Sequence, residues 1–402
     1  MTHARFSQSF TQQRPIVDEG IGAANAAMRS GRLHSDITKV GEVSETAKLE
    51  REYTEWQGSA FCFAVASGRQ AMQIALRAAG VVPDDLVLMN GRALAQVPEA
   101  IAAVGGLAVL VEMTCDLVIC LYDLAATARH GDAQVLLLWH MRGHLCDMDG
   151  LAQIAADLKL MAVEECAHTM GASWNDRLSG SFGKAARFST QTYKHMTSDK
   201  GGLLTTDDTD FRARPTMLSG SYVLCDWHGA VPSVAVSDSI RLEPPKTSAR
   251  TTNLRAAQSR PQLRSVAQNI AAWNAQHDLV VQRRATSAAI DLPQRPKAEQ
   301  YVGSSVQFCL PSVSHTDAAQ PSDQPSAVDA KVKGFGAVKP AGFTSDHHIW
   351  QVVTKRDLPK TDAILAGLFD TELPLTLSLE ACILVSDHVL DTVDAFTVKA
   401  QA

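Results

Sequence analysis

Leu160-Met161-Ala162-Val163-Glu164-Glu165-Cys166-Ala167-His168 is an apolar run that turns acidic at its end and then reaches a histidine. Apolar residues without polar alternation suit a strand covered on both faces, as in a parallel sheet. Carboxylates at the end of such a strand are costly unless a cation or hydrogen-bond donors meet them. Farther on, Phe188-Ser189-Thr190-Gln191-Thr192-Tyr193-Lys194 closes a second apolar run, Ala185–Ser189, and brings a lysine just ahead of Gly201-Gly202. An amine, a carboxylate pair, a histidine and a serine hydroxyl thus fall near the ends of apolar runs.

The same grammar extends outward. Apolar runs at Phe61–Ala66, Leu86–Met89, Leu107–Met113 and Val135–Trp139 join those at Leu160–Val163 and Ala185–Ser189, with helical patterns at Arg69–Ala79, Val97–Val104 and Leu151–Leu158. Buried strands alternating with helices predict an α/β fold, a large, mostly parallel sheet in α/β/α layers. Ahead of it, an arm leads to a polar helix over Ser44–Tyr53. Beyond residue 210 the pattern shifts to a smaller α+β unit. Thr252–Ile270 reads as one long helix and Val302–Leu310 as a strand, and Trp350–Val353, Thr361–Phe369 and Ser378–Asp394 supply further elements. Pro311–Ala327 reads as a solvated loop. The division expected is 1–250 for the arm and large domain and 251–402 for the small one. Open α/β sheets bind ligands outside the carboxyl ends of their strands, which selects Ser67-Gly68, Asn90, His140, Glu164-Glu165 and Ser189–Lys194.

Composition narrows the function. The 402 residues are 46% hydrophobic and 20% charged, which is ordinary for a globular chain. A net charge of −6 argues against a general nucleic-acid binder. No apolar run approaches a membrane span, and the polar stretch Met1–Pro15 lacks a secretory core, so the expected location is cytoplasmic. The eight cysteines form no C-x-x-C pair and read as buried, reduced thiols.

Ser67-Gly68-Arg69 stands where a strand turns into a helix, an arrangement whose amides hold an anion, although such turns are common without one. Glu164 and Glu165 suit a protonated ring nitrogen or, equally, a solvated loop. His168 suits a ring contact or a structural role. Together with Lys194 these groups match the needs of pyridoxal phosphate: an amine to bond its aldehyde, an acid to face its ring nitrogen, and small donors for its phosphate. The H-x-x-x-H spacing of His140 and His144 is broken by Gly143, so it lacks the helical frame of a metal site, and Asp147 or Asp149 reads as a helix cap.

Taken in order, Val65-Ala66-Ser67-Gly68, His140-Met141-Arg142-Gly143, Val163–Ala172, Phe188–Lys194 and Gly201-Gly202 resemble the DegT/DnrJ/StrS family over nearly the whole chain. The resemblance implies fold type I, pyridoxal 5′-phosphate as cofactor, and an aminotransferase. The donor would be glutamate or glutamine, and the acceptor a keto-sugar, keto-cyclitol or related carbonyl compound of amino-sugar or secondary-metabolite biosynthesis. It further implies a homodimer with shared sites and no nucleic-acid or membrane partner. Position by position, it makes Lys194 the catalytic lysine that bonds the cofactor. By the same resemblance Glu165 would face the ring nitrogen, His168 would lie near the ring oxygen, Ser189 and the amides after Ser67 at Gly68 would hold the phosphate, and Gln191 would belong to the cofactor site. The same positions expose departures. Glu165 replaces an aspartate, Arg92 stands near the place of a stacking aromatic, Arg69 follows Ser-Gly where threonine is usual, and Lys246 falls where an asparagine reaches from the partner. Retention of Lys194 favours an enzyme. The runner-up is a catalytically impaired member acting as partner subunit or regulator. A dehydratase or other eliminating enzyme is a third reading; its dehydratase relatives carry histidine at the lysine position, whereas here Lys194 still stands there, followed by His195. Tyr222, Trp227, His228, His347 and His348 are loop residues that read as structural rather than substrate-binding.

Overall fold

The structure, a computed structural model, describes residues 6, 8–36, 41–220, 240, 247–311, 332–334, 348 and 350–401. In chain order its strands are β1 (Phe61–Val65), β2 (Leu86–Asn90), β3 (Leu107–Val111), β4 (Val135–Trp139), β5 (Met161–Glu165), β6 (Ser173–Trp174), β7 (Arg177–Leu178), β8 (Ala185–Ser189), β9 (Gly202–Thr206), β10 (Glu299–Gln300), β11 (Ser305–Cys309), β12 (Val332–Gly334) and β13 (Leu368–Glu372). Seven of them form the large sheet in the order β1-β9-β8-β5-β4-β2-β3. Only β9 runs against its neighbours; every other pairing is parallel.

Apolar faces explain the layers. Val65, Val87, Met89, Leu137 and Val163 point to a face covered by helix Gly68–Ala78 through Met72, Ala75 and Leu76. Leu88, Leu136, Leu138 and Ala162 point the other way, against Leu124 of helix Leu121–His130 and Leu151 of helix Met148–Leu158. A third cluster sets Tyr53 of helix Glu45–Gln57 against Phe188 and Leu203. Each such side chain, fully buried, contributes about 1.5–3 kcal/mol. Asp147 caps helix Met148–Leu158 by accepting from the Gly150 amide at 3.0 Å. The smaller sheet, in the order β11-β13-β12, is antiparallel throughout. Helix Val266–Arg284 joins helix Leu379–Gln401 beside it through Val280, Val306, Leu373, Cys382 and Val385.

Several expectations need correction. The expected helix over 252–270 is two, Asn253–Leu263 and Val266–Arg284. Pro261 lies inside the first and cannot donate a backbone hydrogen bond, and the chain restarts at Ser265. Trp350–Val353 contributes only a single bridge, Val353 to Ala108. Strand β9 was not anticipated, because Gly202-Leu203-Leu204-Thr205-Thr206 is short and half polar; pairing on both edges holds it. Thr361–Phe369 splits into helix Pro359–Ala366 and the start of β13. Cys62, Cys146, Cys166 and Cys382 are buried, but Cys115 is exposed, and Cys225 lies outside the described residues. Among the described residues no helix is long and apolar enough to cross a membrane.

Candidate active site

Three chain segments meet at the carboxyl ends of β1, β5 and β8. Ser67 lies two residues beyond β1 and caps helix Gly68–Ala78, its Oγ accepting from the Gln70 amide at 3.2 Å. Gly202 at the start of β9 lies against this turn: a Cβ there would stand 2.8 Å from the Gly68 nitrogen, so only glycine permits the approach. Beyond β8 the chain loops through Thr190–Gly201. Thr190 Oγ1 meets Ser198 Oγ at 2.9 Å, and Gln262 grips the Thr197 backbone by its N–H at 3.0 Å and its C=O at 2.7 Å. These ties direct Lys194 back over the sheet.

Lys194 Nζ lies 2.7 Å from His168 Nε2. Burial pushes the lysine down to about 7; Glu165 opposes that fall, while Arg142 and Arg187 add to it. Burial, followed by Lys194 itself, holds His168 well below the ordinary histidine range. The imidazole is therefore neutral at pH 7, and its Nε2 shares a hydrogen bond with Nζ. Its Nδ1 is buried without a hydrogen-bond partner, and the ring is tilted 6.4 Å from that of Trp139.

The adjacent carboxylates divide by strand alternation. Glu164 meets His140 Nε2 at 3.0 Å and accepts from the amides of Gly180, Phe182 and Gly183 at 2.9, 2.7 and 2.7 Å. Burial alone would raise its pKa, but His140 and these amides outweigh it and hold the carboxyl below its usual range. Glu165 faces the other way, wholly buried, with Oε1 paired to Arg187 and accepting weakly from the Ala167 amide at 3.3 Å. Its Oε2 is buried and has no partner.

The expected residues are therefore partly gathered. Lys194, His168, Glu165, Ser67, Gly68 and Ser189 share one region; Ser189 Oγ accepts from the Gln191 amide at 3.3 Å, and Gln191 Oε1 accepts from the Tyr193 amide at 3.2 Å. Arg69 turns outward to Glu99 at 2.9 Å, with both side chains about half exposed, so its charge is spent on the neighbouring helix rather than on the turn. Arg92 is 2% exposed, donates to Met141 Sδ at 2.9 Å, and is pushed down to about 9 by burial, against the pull of Asp370. Asn90 ties β2 to the Trp139 backbone. Lys246 lies outside the described residues, as do Tyr222, Trp227, His228, His347 and most of the Pro311–Ala327 loop. His348 is exposed and meets Asp362 at 3.1 Å. His195 is buried edge-on to Trp273 at 5.0 Å, so Lys194 alone of the two reaches His168.

His140 and His144 do not converge, since His144 Nε2 meets Gln307 Oε1 at 2.8 Å. The atoms of His140, Glu164 and Cys166 do lie within 4.8 Å of one another. Glu164 is already saturated by four donors, and burial followed by Glu164 pushes the Cys166 thiol well above its ordinary value, an unfavourable state for a metal-binding thiolate. The residue that sequence reading missed is Arg187, 3% exposed on β8 and paired with Glu165. Its signal was available: a charge inside Ala185-Ala186-Arg187-Phe188 demands a buried counter-charge.

Residues 17–381 match the family model of the DegT/DnrJ/EryC1/StrS aminotransferase family. Among curated proteins, the chain is 32% identical over 199 residues to L-glutamine:scyllo-inosose aminotransferase of Streptomyces griseus, covering 49% of this chain and 46% of that protein. It is 30% identical over 164 residues to 3-amino-5-hydroxybenzoate synthase of Amycolatopsis mediterranei, covering 41% and 42%. These alignments span about half the length of the curated relatives. The crystal structure of 3-amino-5-hydroxybenzoic acid synthase superposes with a TM-score of 0.78 at 19% identity, covering 95% of this chain and 99% of that one. A GDP-4-keto-6-deoxymannose-3-dehydratase with a trapped PLP-glutamate geminal diamine gives 0.77 at 14% identity, over 96% and 99%.

Proposed function

The chain belongs to the DegT/DnrJ/EryC1/StrS aminotransferase family, and from that premise we propose that it is a pyridoxal-phosphate-dependent aminotransferase. It would take the amino group of glutamate or glutamine and deliver it to a keto-sugar, keto-cyclitol or related carbonyl compound. The observation that carries the reading is Lys194, an amine pushed down to about 7 and held 2.7 Å from a neutral histidine. It acts beside a carboxylate with one buried, unpartnered oxygen, Glu165 Oε2.

The residues fit the cofactor on these grounds. An orphan carboxylate oxygen suits a ring N–H, and the Ser67–Gly68 helix start, closed by Gly202, suits a phosphate. Pyridoxal phosphate supplies, when bound, an aldehyde that bonds amines and a ring that accepts an electron pair. Lys194 Nζ would hold that aldehyde and, once released, take or give the proton at the substrate carbon. His168 fixes the direction of Nζ through the hydrogen bond between them. The Gly68 end of the helix and Ser189 Oγ orient the phosphate. Gln191 shapes the loop between Ser189 and Lys194 through its bonds to Ser189 and Tyr193.

The working unit is taken as a cytoplasmic homodimer with shared sites, divided within each chain near residue 250; a solution mass of a single chain would remove the dimer. Two observations favour a second reading, a catalytically impaired member serving as partner subunit or regulator. Arg187 already occupies one oxygen of Glu165, and Arg92 is committed to Met141 rather than free for stacking. The purified protein incubated with pyridoxal phosphate distinguishes the two. The enzyme should turn yellow, shift its absorbance on adding glutamate or glutamine, and retain the coenzyme on Lys194 after borohydride. A colourless protein supports the second reading, and a donor-driven shift at full rate in Lys194→Ala removes Lys194 from its role.

A further inference from the structure

Arg142 stands at the edge of this site with its charge still within reach of solvent. It follows β4 with φ 49, in the left-handed region, where a side chain persists only if its surroundings hold it. Gly143 comes next, and a Cβ built there would stand 3.2 Å from His168 O, so the turn is set against the residue that holds Lys194 Nζ. Burial and then Lys194 lower the pKa of His168, and Arg142 adds to that fall. Burial lowers Lys194 against the pull of Glu165, and Arg142 adds to this fall too. The Arg142 side chain is 15% exposed, whereas Arg92, Arg187 and Arg284 are buried. Of these four guanidiniums, it is the one a solute can meet.

Its two acidic partners differ. Asp370 is wholly buried, accepts from Gln307 at 2.6 Å, and attracts Arg92 and Arg284 as well. Glu372 ends β13 with its side chain 34% exposed, and meets Arg142 Nη1 at 3.1 Å. Water screens a part-exposed pair, so Glu372 can yield its place at little cost. A carboxylate that takes that place keeps the local charge balance and gains charge-assisted hydrogen bonds. A neutral solute would leave Arg92, Arg142 and Arg284 facing Asp370 alone. We propose that Arg142 binds a carboxylate of the amino donor, and that Glu372 holds the same edge of the guanidinium until the donor arrives. The proposal rests on the aminotransferase reading, because the donor is what brings the carboxylate. Arg142 is then a substrate-binding residue, and Glu372 a built-in competitor of the donor.

Calorimetric titration of the full chain, loaded with pyridoxal phosphate, tests this without turnover. The probe is glutarate, which has the carbon frame and carboxylates of glutamate but no amine, and its neutral diamide is the control. The parent should bind glutarate more tightly than the diamide; Arg142→Gln should weaken glutarate about tenfold or more, and Glu372→Gln should tighten it about threefold. Neither change should move the diamide. In Arg142→Gln the donor-driven absorbance shift should keep its saturating rate within about threefold while the half-saturating donor concentration rises about tenfold. A rise with glutamine as well as glutamate puts the α-carboxylate on Arg142, and a rise with glutamate alone puts the side-chain carboxylate there. If Arg142→Gln does not fold, Glu372→Gln, which alters a part-exposed side chain, carries the test by itself. Equal glutarate affinity in the parent and Glu372→Gln, or no preference for glutarate over the diamide in the parent, overturns the proposal and leaves the coenzyme reading standing. Absence of a borohydride-stable label on Lys194 in the parent overturns the aminotransferase reading and this inference with it.

Discussion

Lys194 owes its chemistry to where the loop Thr190–Gly201 puts it. A lysine in water keeps its proton to about pH 10.4, whereas burial brings this one down to about 7. The unfolded chain therefore binds more protons than the folded one between those values. The cost to stability is full below pH 7 and disappears as the pH rises toward 10.4. Lys194→Met should stabilise the cofactor-free chain at pH 7 by on the order of 1 kcal/mol. Urea melts at pH 7 and pH 10 should show the gain shrinking at the higher pH, and a constant gain would contradict the shifted amine. Reductive trapping of an aldehyde at this residue should likewise slow about tenfold per pH unit below 6, as the neutral amine is lost.

At the scale of the element, the turn after β1 depends on β9 as much as on its own sequence. A Cβ built on Gly202 would stand 2.8 Å from Gly68 N and 2.9 Å from Ser67 C, so a methyl group would meet backbone, which cannot swing aside. Gly202→Ala should cost about 1–3 kcal/mol, the usual range for overpacking, and should also weaken cofactor binding by widening the cradle. Chemical denaturation reads the first effect and dialysis the second; an alanine variant with unchanged stability would show that the two strands separate freely. Helix Asn253–Leu263 adds a second support, because its Gln262 side chain holds the lysine loop by the Thr197 backbone at both N–H and C=O. A residue distant in sequence thus helps to aim the amine.

Across the whole molecule, Arg142 links the large sheet to the small one. It sits in the left-handed region at φ 49, after β4, and meets Asp370 at 2.7 Å and Glu372 at 3.1 Å on β13. Burial pulls its pKa down, but these two acids outweigh that and leave it above its ordinary value. Asp370 is wholly buried, with Gln307 donating to it at 2.6 Å. Removing the guanidinium takes the ion-pair partner from a buried carboxylate, leaving it only the attraction of Arg92 and Arg284, so Arg142→Ala should cost about 3 kcal/mol. Asp370→Asn should cost clearly less, because the amide needs no counter-ion. Thermal melts of both variants check the order, and equal losses would mean that the bridge is replaceable by water.

The apolar runs by themselves determined the parallel sheet, because residues buried on both faces of a strand must be apolar along their length. The cap at Asp147, read from the sequence as Asp147 or Asp149, was legible for a similar reason: the first turn of a helix needs a side-chain acceptor, and few residue types supply one. The Glu164-Glu165 pair stood out because it ends an apolar run, whereas Lys194 lies in a polar stretch, and the roles of Lys194 and Glu165 came from the family resemblance. Three outcomes lay beyond that reading. One was β9, whose antiparallel place comes from edge pairing rather than from its own composition. Another was the division of labour between Glu164 and Glu165, set by which face of β5 each side chain takes. The last was Arg187 opposite Glu165, a pairing fixed by the register between β5 and β8, which no local pattern encodes.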